Sequence, residues 1–203
     1  MNATERHTPQ HFEEMFEAND DPWRFRSSWY EARKRALTLA CLPRARYASG
    51  YEPGCANGEL SAALAARCER LLVSDGALGA AQAARARLAD MPQVEVIEAW
   101  LPEQWPAGRF DLVVVSEVAY YLGAAALAGF AAKLRASLDP GATVLACHWR
   151  HPIEGCAFTG DEVHRRLGEG LALPRIGQVV EADLRIDVWC EDSRSVAQCE
   201  GLV

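Results

Sequence analysis

The sequence predicts an α/β fold, a doubly wound, seven-stranded sheet that is mostly parallel, with an antiparallel hairpin at its C-terminal edge. Two observations indicate this fold. Short apolar runs alternate with helix-like segments through the middle of the chain, which is typical of parallel strands covered on both faces. Near the C-terminus, two strand-like runs are joined only by the polar segment 191–194, and so short a connection requires antiparallel neighbours.

The predicted elements follow one another regularly from residue 49 onward. The first strand leads through a glycine turn into a helix whose apolar residues have helical spacing, and the later helices end at polar or proline-containing turns. The predicted strands are 49–52, 70–75, 94–97, 110–115, 142–147, 179–190 and 195–203, and the predicted core helices are 59–68, 77–89, 124–138 and 161–168.

A small helical cap is predicted before the sheet. Residues 10–41 have helical periodicity that is interrupted at 19–22, where the sequence is Asn-Asp-Asp-Pro. A chain of 203 residues has the size of one domain. We therefore expect a single domain, 1–203, made of an N-terminal cap (1–46) and a Rossmann-like core (47–203).

Charge and composition exclude several classes of protein. The chain has 21 basic and 28 acidic side chains, a formal net charge of −7, and no basic run that would bind a nucleic acid. No apolar segment reaches the length of a membrane span, and residues 1–17 lack the apolar core of a secretory signal. The seven cysteines include no C-x-x-C pair, which favours reduced thiols. We expect a cytoplasmic protein that binds small molecules, and the sequence leaves its oligomeric state open.

Two loops at the carboxyl ends of predicted strands favour a nucleotide site. The first contains Gly54 and Gly58, where the backbone turns sharply and a ligand can approach it closely. The second begins at Asp75, which lies 17 residues after Gly58 and offers a carboxylate to the hydroxyls of a ribose. The glycines read G-x-A-x-G without a third glycine, so a dinucleotide site and hydride transfer are disfavoured.

Four segments, taken in order, resemble the motifs of class I S-adenosyl-L-methionine (SAM)-dependent methyltransferases. They are Glu52-x-Gly54-Cys55-x-x-Gly58, then Asp75, then Phe-Asp-Leu-Val-Val-Val-Ser-Glu-Val-x-Tyr-Tyr-Leu at 110–122, and Leu138-x-Pro140-Gly141. Within that family, the segment Asp-Pro-Trp-Arg-Phe at 21–25, the Gly-Cys-Ala turn and the 116–122 segment look closest to nodulation protein S. That family consists of N-methyltransferases acting on deacetylated chito-oligosaccharides. The resemblance implies SAM as the cofactor and S-adenosyl-L-homocysteine (SAH) as its product.

The resemblance also implies which residues contact the cofactor. The glycine loop faces the methionyl part, Asp75 binds the ribose, the next two residues flank the adenosine, the loop after the third strand faces the adenine, and the end of the fourth strand faces the sulfonium. The residues in this order are Glu52, Gly54, Cys55 and Gly58; Asp75; Gly76 and Ala77; Ala99, Trp100 and Leu101; Ser116, Glu117 and Val118. The family commonly has a polar residue at the adenine, and we expect backbone groups of Ala99 or Trp100 to replace it.

The cap supplies further candidates. An arginine there can pair with the cofactor's carboxylate as a two-pronged donor, and we assign Arg33 to this role with Arg24 as its rival. Aromatic rings attract a sulfonium cation, and the candidates are Trp23, Tyr30 and Tyr121, of which Trp23 is assigned to the cofactor. The residues assigned to the acceptor are Arg24, Tyr30, Tyr121 and Trp149. A Tyr-x-x-x-Lys pattern at Tyr30 precedes the glycine loop, where no reductase carries its catalytic pair, so we interpret it as chance.

The candidates for proton transfer are Glu117, His148 and His151. The two histidines form an H-x-x-H pattern on an extended segment, but no cysteine or carboxylate completes a set of metal ligands, so we predict no metal site. We expect methyl transfer to a small-molecule acceptor, with an amine nitrogen such as that of an amino sugar favoured. The alternatives are O-methylation, and a SAM-binding protein without catalysis.

Overall fold

A computed structural model describes residues 7–203 and contains a seven-stranded sheet. Its strands are β1 (Gly50–Pro53), β2 (Leu71–Asp75), β3 (Val94–Glu98), β4 (Phe110–Ser116), β5 (Leu138–Trp149), β6 (Arg175–Val180) and β7 (Leu184–Cys190). The strand order is β3-β2-β1-β4-β5-β7-β6. The first five strands pair in parallel, whereas β7 is antiparallel to both β5 and β6. The predicted α/β class, the strand number and the mixed pairing are confirmed.

Helices cover both faces of this sheet. They are α1 (Pro9–Ala18), α2 (Trp29–Ala40), α3 (Glu59–Ala65), α4 (Leu78–Arg87), α5 (Ala124–Ala136), α6 (Gly160–Leu171) and α7 (Val196–Cys199). On one face, α5 and α6 bury Phe130 and Leu167 in an apolar cluster with the sheet. On the other face, α3 and α4 contribute Leu64 and Ala84 to a second cluster. Burial on both faces explains why β2 and β4 contain continuous apolar runs.

The chain reverses its direction of travel across the sheet between β1 and β4. It proceeds outward from β1 to β3 and then returns to place β4 beside β1. The loops that leave β1 and β4 therefore diverge at the carboxyl edge, and the crevice between them is where ligands bind in open α/β sheets.

The N-terminal cap consists of α1 and α2, as predicted. Thr8 caps α1 by accepting a hydrogen bond from the His11 backbone N–H at 3.2 Å. Glu13 of α1 accepts hydrogen bonds from the backbone N–H groups of Leu78 and Gly79 at 2.6 and 3.3 Å. Because these two residues begin α4, the carboxylate of α1 lies at the positive end of that helix.

The predicted hairpin is correct in type but wrong in position. The strands were expected at 179–190 and 195–203, whereas the structure pairs β6 with β7 and closes the turn with a hydrogen bond from the Glu181 N–H to the Leu184 carbonyl at 2.9 Å. Ser195 instead caps α7 in a reciprocal pair with Gln198, so the last residues leave the sheet. Their apolar side chains, such as Val203, are exposed.

None of the helices described in 7–203 is both long and apolar enough to cross a bilayer.

Candidate functional site

A cavity of about 760 Å³ opens at the carboxyl edge of the parallel strands. Its walls come from the loops after β1, β2, β3 and β4 and from the cap helices α1 and α2. These are the loops that the strand order singles out, so the cavity lies where the sequence predicts a ligand. The predicted site residues that line it are Trp23, Tyr30, Glu52, Gly54, Cys55, Asp75, Gly76, Ala99, Trp100, Leu101, Ser116, Glu117, Val118, Tyr121 and Trp149.

Asp75 lies at the end of β2 with its carboxylate in the cavity wall. One oxygen accepts a hydrogen bond from the Ala56 N–H at 2.9 Å, and the other accepts one from the Ala77 N–H at 3.0 Å. Burial disfavours the charged form and outweighs these donors, raising the pKa of Asp75 to about 6. Since each oxygen holds only one of these backbone donors, both retain lone pairs for further donors from a ligand.

Glu52, near the end of β1, is almost fully buried at 2% exposure and also lines the cavity. Its Oε2 atom has no hydrogen-bond partner among the residues that the structure describes. Burial, with a smaller contribution from the charge of Asp75, raises the pKa of Glu52 to about 8. A buried carboxylate with an open acceptor atom is suited to a cationic or hydrogen-bond-donating ligand group.

The raised pKa of Glu52 predicts that the ligand-free protein loses stability as the pH rises. Its pKa is about 4.3 in the unfolded chain and about 8 in the folded one, so between these values the folded state binds the extra proton. The free energy of unfolding is highest below the lower value and falls as the pH rises through the upper one. Each unit of difference is worth about 1.4 kcal/mol. We expect Glu52→Gln to flatten this fall in denaturant titrations from about pH 5 to about pH 8.

The matched control is Glu14→Gln, because Glu14 is exposed on α1. It should keep the wild-type dependence of stability on pH. A Glu52→Gln protein with that same dependence would show that Glu52 does not titrate abnormally.

The turn after β1 brings the backbone close to the opposite wall. Gly54 has a φ of +72°, and a Cβ there would lie 2.8 Å from the Val118 side chain. Ala56 has a φ of +49°, so alanine adopts a conformation that favours glycine. After β2, a Cβ on Gly76 would lie 2.4 Å from the Trp100 ring. The glycines therefore allow Val118 and Trp100 to approach the loops that form the cavity.

The loop after β3 differs from its prediction in detail. The Ala99 N–H donates to the Asp75 carbonyl at 2.9 Å, and the Trp100 N–H donates to the Gln104 side chain at 2.6 Å. Both backbone N–H groups are thus already paired, and contact of the Ala99 or Trp100 backbone with an adenine stays a prediction. Trp100 and Leu101 of this loop line the cavity.

The loop between α1 and α2 is organised by Asp21. One of its oxygens accepts hydrogen bonds from the Phe25 N–H at 2.7 Å and from the Asn57 side chain at 2.9 Å, which ties the cap to the glycine loop. Trp23 then packs edge to face with Phe16, with ring centroids 5.7 Å apart, and both rings line the cavity. Arg24 is exposed and does not line it.

Three residues predicted to contact the cofactor lie outside the cavity lining. Arg33 is held at the surface by two hydrogen bonds of 2.7 Å to Glu181 in the β6–β7 turn. Gly58 begins α3 and faces α4, where its Cβ would lie 3.2 Å from the Ala84 backbone. Ala77 is fully buried, and its N–H holds Asp75. Gly58 and Ala77 thus support the loops of the site without lining the cavity. Arg33 instead binds α2 to the β6–β7 hairpin.

A buried ionic cluster in the cavity wall was missed. Lys34 of α2 donates to Glu31 at 2.9 Å and to Glu117 at 2.6 Å, and all three residues line the cavity. Burial lowers the pKa of Lys34, but the two carboxylates outweigh it and the net shift is upward. The Tyr-x-x-x-Lys pattern, which was interpreted as chance, therefore places both Tyr30 and Lys34 in the cavity wall.

Glu117 follows β4 and accepts hydrogen bonds from three donors. Besides Lys34 on Oε1, its Oε2 accepts hydrogen bonds from the Tyr120 hydroxyl at 2.6 Å and from the Trp149 N–H at 2.9 Å. Its backbone has a φ of +55°, a conformation uncommon outside glycine and concentrated at functional sites. The ionic cluster defined by Glu31, Lys34 and Glu117 therefore has a fixed geometry around Glu117.

The two predicted catalytic histidines are not brought to the cavity. His148 is completely buried; its Nε2 accepts the Ala119 N–H at 3.3 Å, so its Nδ1 carries the proton and donates to His164 at 3.0 Å. His164 in turn donates to Asp187 at 2.7 Å. His151 is exposed and pairs with Asp183 at 2.8 Å.

Alternation along β5 explains the placement of His148, because its neighbour Trp149 is the residue that lines the cavity, whereas His151 lies beyond the end of β5. Within the described range 7–203, no group of three or more His, Cys, Asp or Glu residues is arranged to hold a metal ion.

Comparisons with known proteins agree with this geometry. The pattern of the nodulation protein S (NodS) family matches residues 7–156. Nodulation protein S from Rhizobium tropici is 35% identical over 107 residues, which cover 52% of this chain and 45% of that protein. The chain thus spans about half the length of the curated relatives it matches.

Two solved structures extend the comparison. A candidate methyltransferase from Pseudomonas syringae is 49% identical with a TM-score of 0.73, covering 80% of this chain and 99% of that one. The N-methyltransferase NodS from Bradyrhizobium japonicum, in complex with SAH, is 26% identical with a TM-score of 0.82, covering 90% of this chain and 97% of that one. Since the family pattern spans most of the chain and the fold agrees, this protein belongs to the nodulation protein S family.

Proposed function

We propose that this protein is a SAM-dependent methyltransferase that transfers a methyl group to an amine nitrogen of a small molecule in the cytoplasm. The observation that carries the proposal is the pair of buried carboxylates, Asp75 and Glu52, which point into one cavity with acceptor sites still open. The NodS structure that resembles this chain over 90% of its length is that of an N-methyltransferase in complex with SAH.

The residues of the cavity fit SAM. Asp75 has lone pairs free for both ribose hydroxyls, and the unpartnered Oε2 of Glu52 suits the cofactor's ammonium group. Because Gly54 has no side chain, the methionyl part of the cofactor can lie against its backbone, beside Val118. The Trp100 ring offers a flat apolar surface for the adenine in place of the backbone donors that are already paired.

The cofactor's carboxylate needs a cationic partner, and Arg35 is the arginine that lines the cavity among the described residues. One of its nitrogens donates to the Phe25 carbonyl at 2.7 Å, which holds the side chain against the cap loop. We assign it the role that the sequence suggested for Arg33. Its remaining guanidinium donors are available for a carboxylate.

The chain contributes to catalysis chiefly by alignment. SAM supplies an electrophilic methyl group on a sulfonium, and the nucleophile attacks that carbon in line. Trp23, Tyr30 and Tyr121 give the cavity aromatic faces that attract cationic groups and exclude water. Holding two reactants in a near-attack geometry is worth about 7–11 kcal/mol, so a neutral amine needs little further activation.

The charge of the cavity wall supports an amine over a hydroxyl acceptor. The ionic cluster contains two carboxylates and one ammonium, which leaves one negative charge at the end of β4. Methylation of an amine keeps a positive charge in the site, because it passes from sulfur to nitrogen. Methylation of a hydroxyl ends in a neutral ether and needs a base in the site to take the hydroxyl proton, whereas a neutral amine has a lone pair ready for the transfer.

Thermal denaturation with SAM and with NAD tests the cofactor. A ligand present at 100 times its Kd stabilises a fold by about 2.7 kcal/mol, so SAM should raise the Tm by several degrees and NAD should leave it unchanged. Stabilisation by NAD alone would overturn the proposal. Stabilisation by SAM without SAH formation across a panel of amines and phenols would identify a binding protein without catalysis.

A further inference from the structure

Two carboxylates of the ionic cluster line the cavity, and their surroundings differ. Glu117 accepts three hydrogen bonds, from Lys34, Tyr120 and the Trp149 backbone, on its two oxygens. Glu31 has Lys34 as its hydrogen-bonding partner among the described residues, with its two oxygens 3.0 and 2.9 Å from the same ammonium group. A carboxylate offers about four lone-pair sites, so Glu31 has acceptor capacity left for a ligand and Glu117 has little.

The position of Glu31 is unusual for a glutamate in the first turn of a helix. Its side chain is only 10% exposed, and it projects from α2 into the cavity beside Lys34. Burial disfavours its charged form and outweighs the attraction of Lys34, so the pKa of Glu31 is raised. A buried carboxylate with a raised pKa and a free lone pair has the properties of a general base.

We propose that Glu31 is the catalytic base of this enzyme: it binds the acceptor as an ammonium ion and removes its proton, while Lys34 fixes Glu117 as a structural anion. The inference rests on the proposed function and assigns its proton transfer. It replaces Glu117, His148 and His151 as candidates, because three donors already occupy Glu117 and neither of these two histidines lines the cavity.

Proton transfer to Glu31 precedes the transfer of the methyl group. The Glu31 carboxylate takes one proton from the R–NH₃⁺ acceptor and leaves R–NH₂ with a free lone pair. That pair forms the bond to the methyl carbon, the carbon–sulfur bond breaks, and its electrons remain on sulfur in SAH. The products are R–NH₂⁺–CH₃ and SAH, and Glu31 returns its proton to water when they leave.

Several charged or titratable groups face Glu31 and bear on its pH dependence. Lys34, Arg35 and Tyr30 belong to its own helix, Glu117 follows β4, and Cys147 lies on β5. Lys34 and Arg35 favour the charged form, whereas Glu117 opposes it. The thiol of Cys147 stays protonated, because burial raises its pKa to about 12. Among these neighbours, Glu31 is therefore a carboxyl group whose pKa burial raises above its ordinary value.

The test compares the pH profiles of kcat/KM for wild-type protein, Glu31→Gln and Glu117→Gln, with SAM and a deacetylated chito-oligosaccharide or a simple alkylamine as the probe. With Glu31 as the base the ammonium form is used, so the wild-type rate stays nearly level between the raised pKa of Glu31 and the pKa of the amine, and it falls at lower pH as Glu31 becomes protonated. Glu31→Gln should lose at least about 100-fold at neutral pH and recover about tenfold per pH unit as the free amine accumulates. Glu117→Gln should lose activity with the wild-type pH profile.

Two further results distinguish the role of Glu31 as the base from the methyltransferase activity itself. Glu31→Gln should keep the thermal stabilisation by SAM, which shows that it folds and binds the cofactor. A Glu31→Gln profile parallel to that of wild type, or alkaline recovery in Glu117→Gln instead, would overturn the assignment while leaving methyl transfer intact. A wild-type protein that forms no SAH with any acceptor would overturn the proposed function and, with it, this inference.

Discussion

Asp75→Asn should abolish measurable stabilisation by SAM and weaken its binding at least about 100-fold. Both Asp75 oxygens already accept one backbone N–H each, and both have capacity left for a ligand. An asparagine keeps the shape but provides one acceptor oxygen and no charge. Hydrogen bonds to charged groups are worth about 1.5–3 kcal/mol each, and a loss of about 2.8 kcal/mol is a 100-fold rise in Kd. Isothermal titration of SAM into both proteins measures this difference.

The matched control is Asp90→Asn, because Asp90 is exposed in the turn after α4 and does not line the cavity. It should bind SAM like the wild-type protein. An Asp75→Asn protein that folds and still binds SAM with unchanged Kd would remove Asp75 from the cofactor site.

Lys34→Met should destabilise the protein by about 3–5 kcal/mol. Lys34 is only 6% exposed and is the ammonium shared by Glu31 and Glu117. Without it, two neighbouring carboxylates remain in a largely apolar wall with no opposing charge between them. For a chain of this size, such a loss lowers the Tm by roughly 6–20 °C. Thermal and urea denaturation at neutral pH measure it.

Lys133→Met is the control, since Lys133 is exposed on α5 and donates only to the carbonyls of Pro102 and Glu103. It should change stability by no more than about 1 kcal/mol. Adding Glu117→Gln to Lys34→Met removes one of the two orphaned charges and should recover part of the stability. Equal stability of Lys34→Met and wild type would show that the ionic cluster is not a structural element.

The parts of the fold that the sequence predicted are those whose signals are local. Strands β2, β4 and β5 contain runs of buried apolar residues, which stand out in the sequence between turn residues. The hairpin was misplaced because residues 179–190 look like one strand, although Glu181 begins a turn within them. The final apolar residues were read as a strand, but Ser195 starts a helical turn and Val203 is exposed.

Some residues of the candidate site could likewise be located from the sequence, and others could not. The glycine loop and Asp75 each follow directly from a strand, so their order in the sequence is sufficient to locate them. The ionic cluster joins Lys34 to Glu117 across 83 residues, and a polar residue on an amphipathic helix ordinarily faces solvent. Likewise, no local sequence pattern predicts that Arg33 pairs with Glu181, which lies 148 residues away.

The central claim, SAM-dependent methyl transfer to an amine, is tested most directly by incubating the wild-type protein with SAM and a set of amine and hydroxyl acceptors. Mass spectrometry then follows SAH and the methylated product together. We predict SAH formation in equal amount with an N-methylated amine and none with the matched hydroxyl compounds. SAH formation only with hydroxyl acceptors, or no SAH with any acceptor, would contradict the claim.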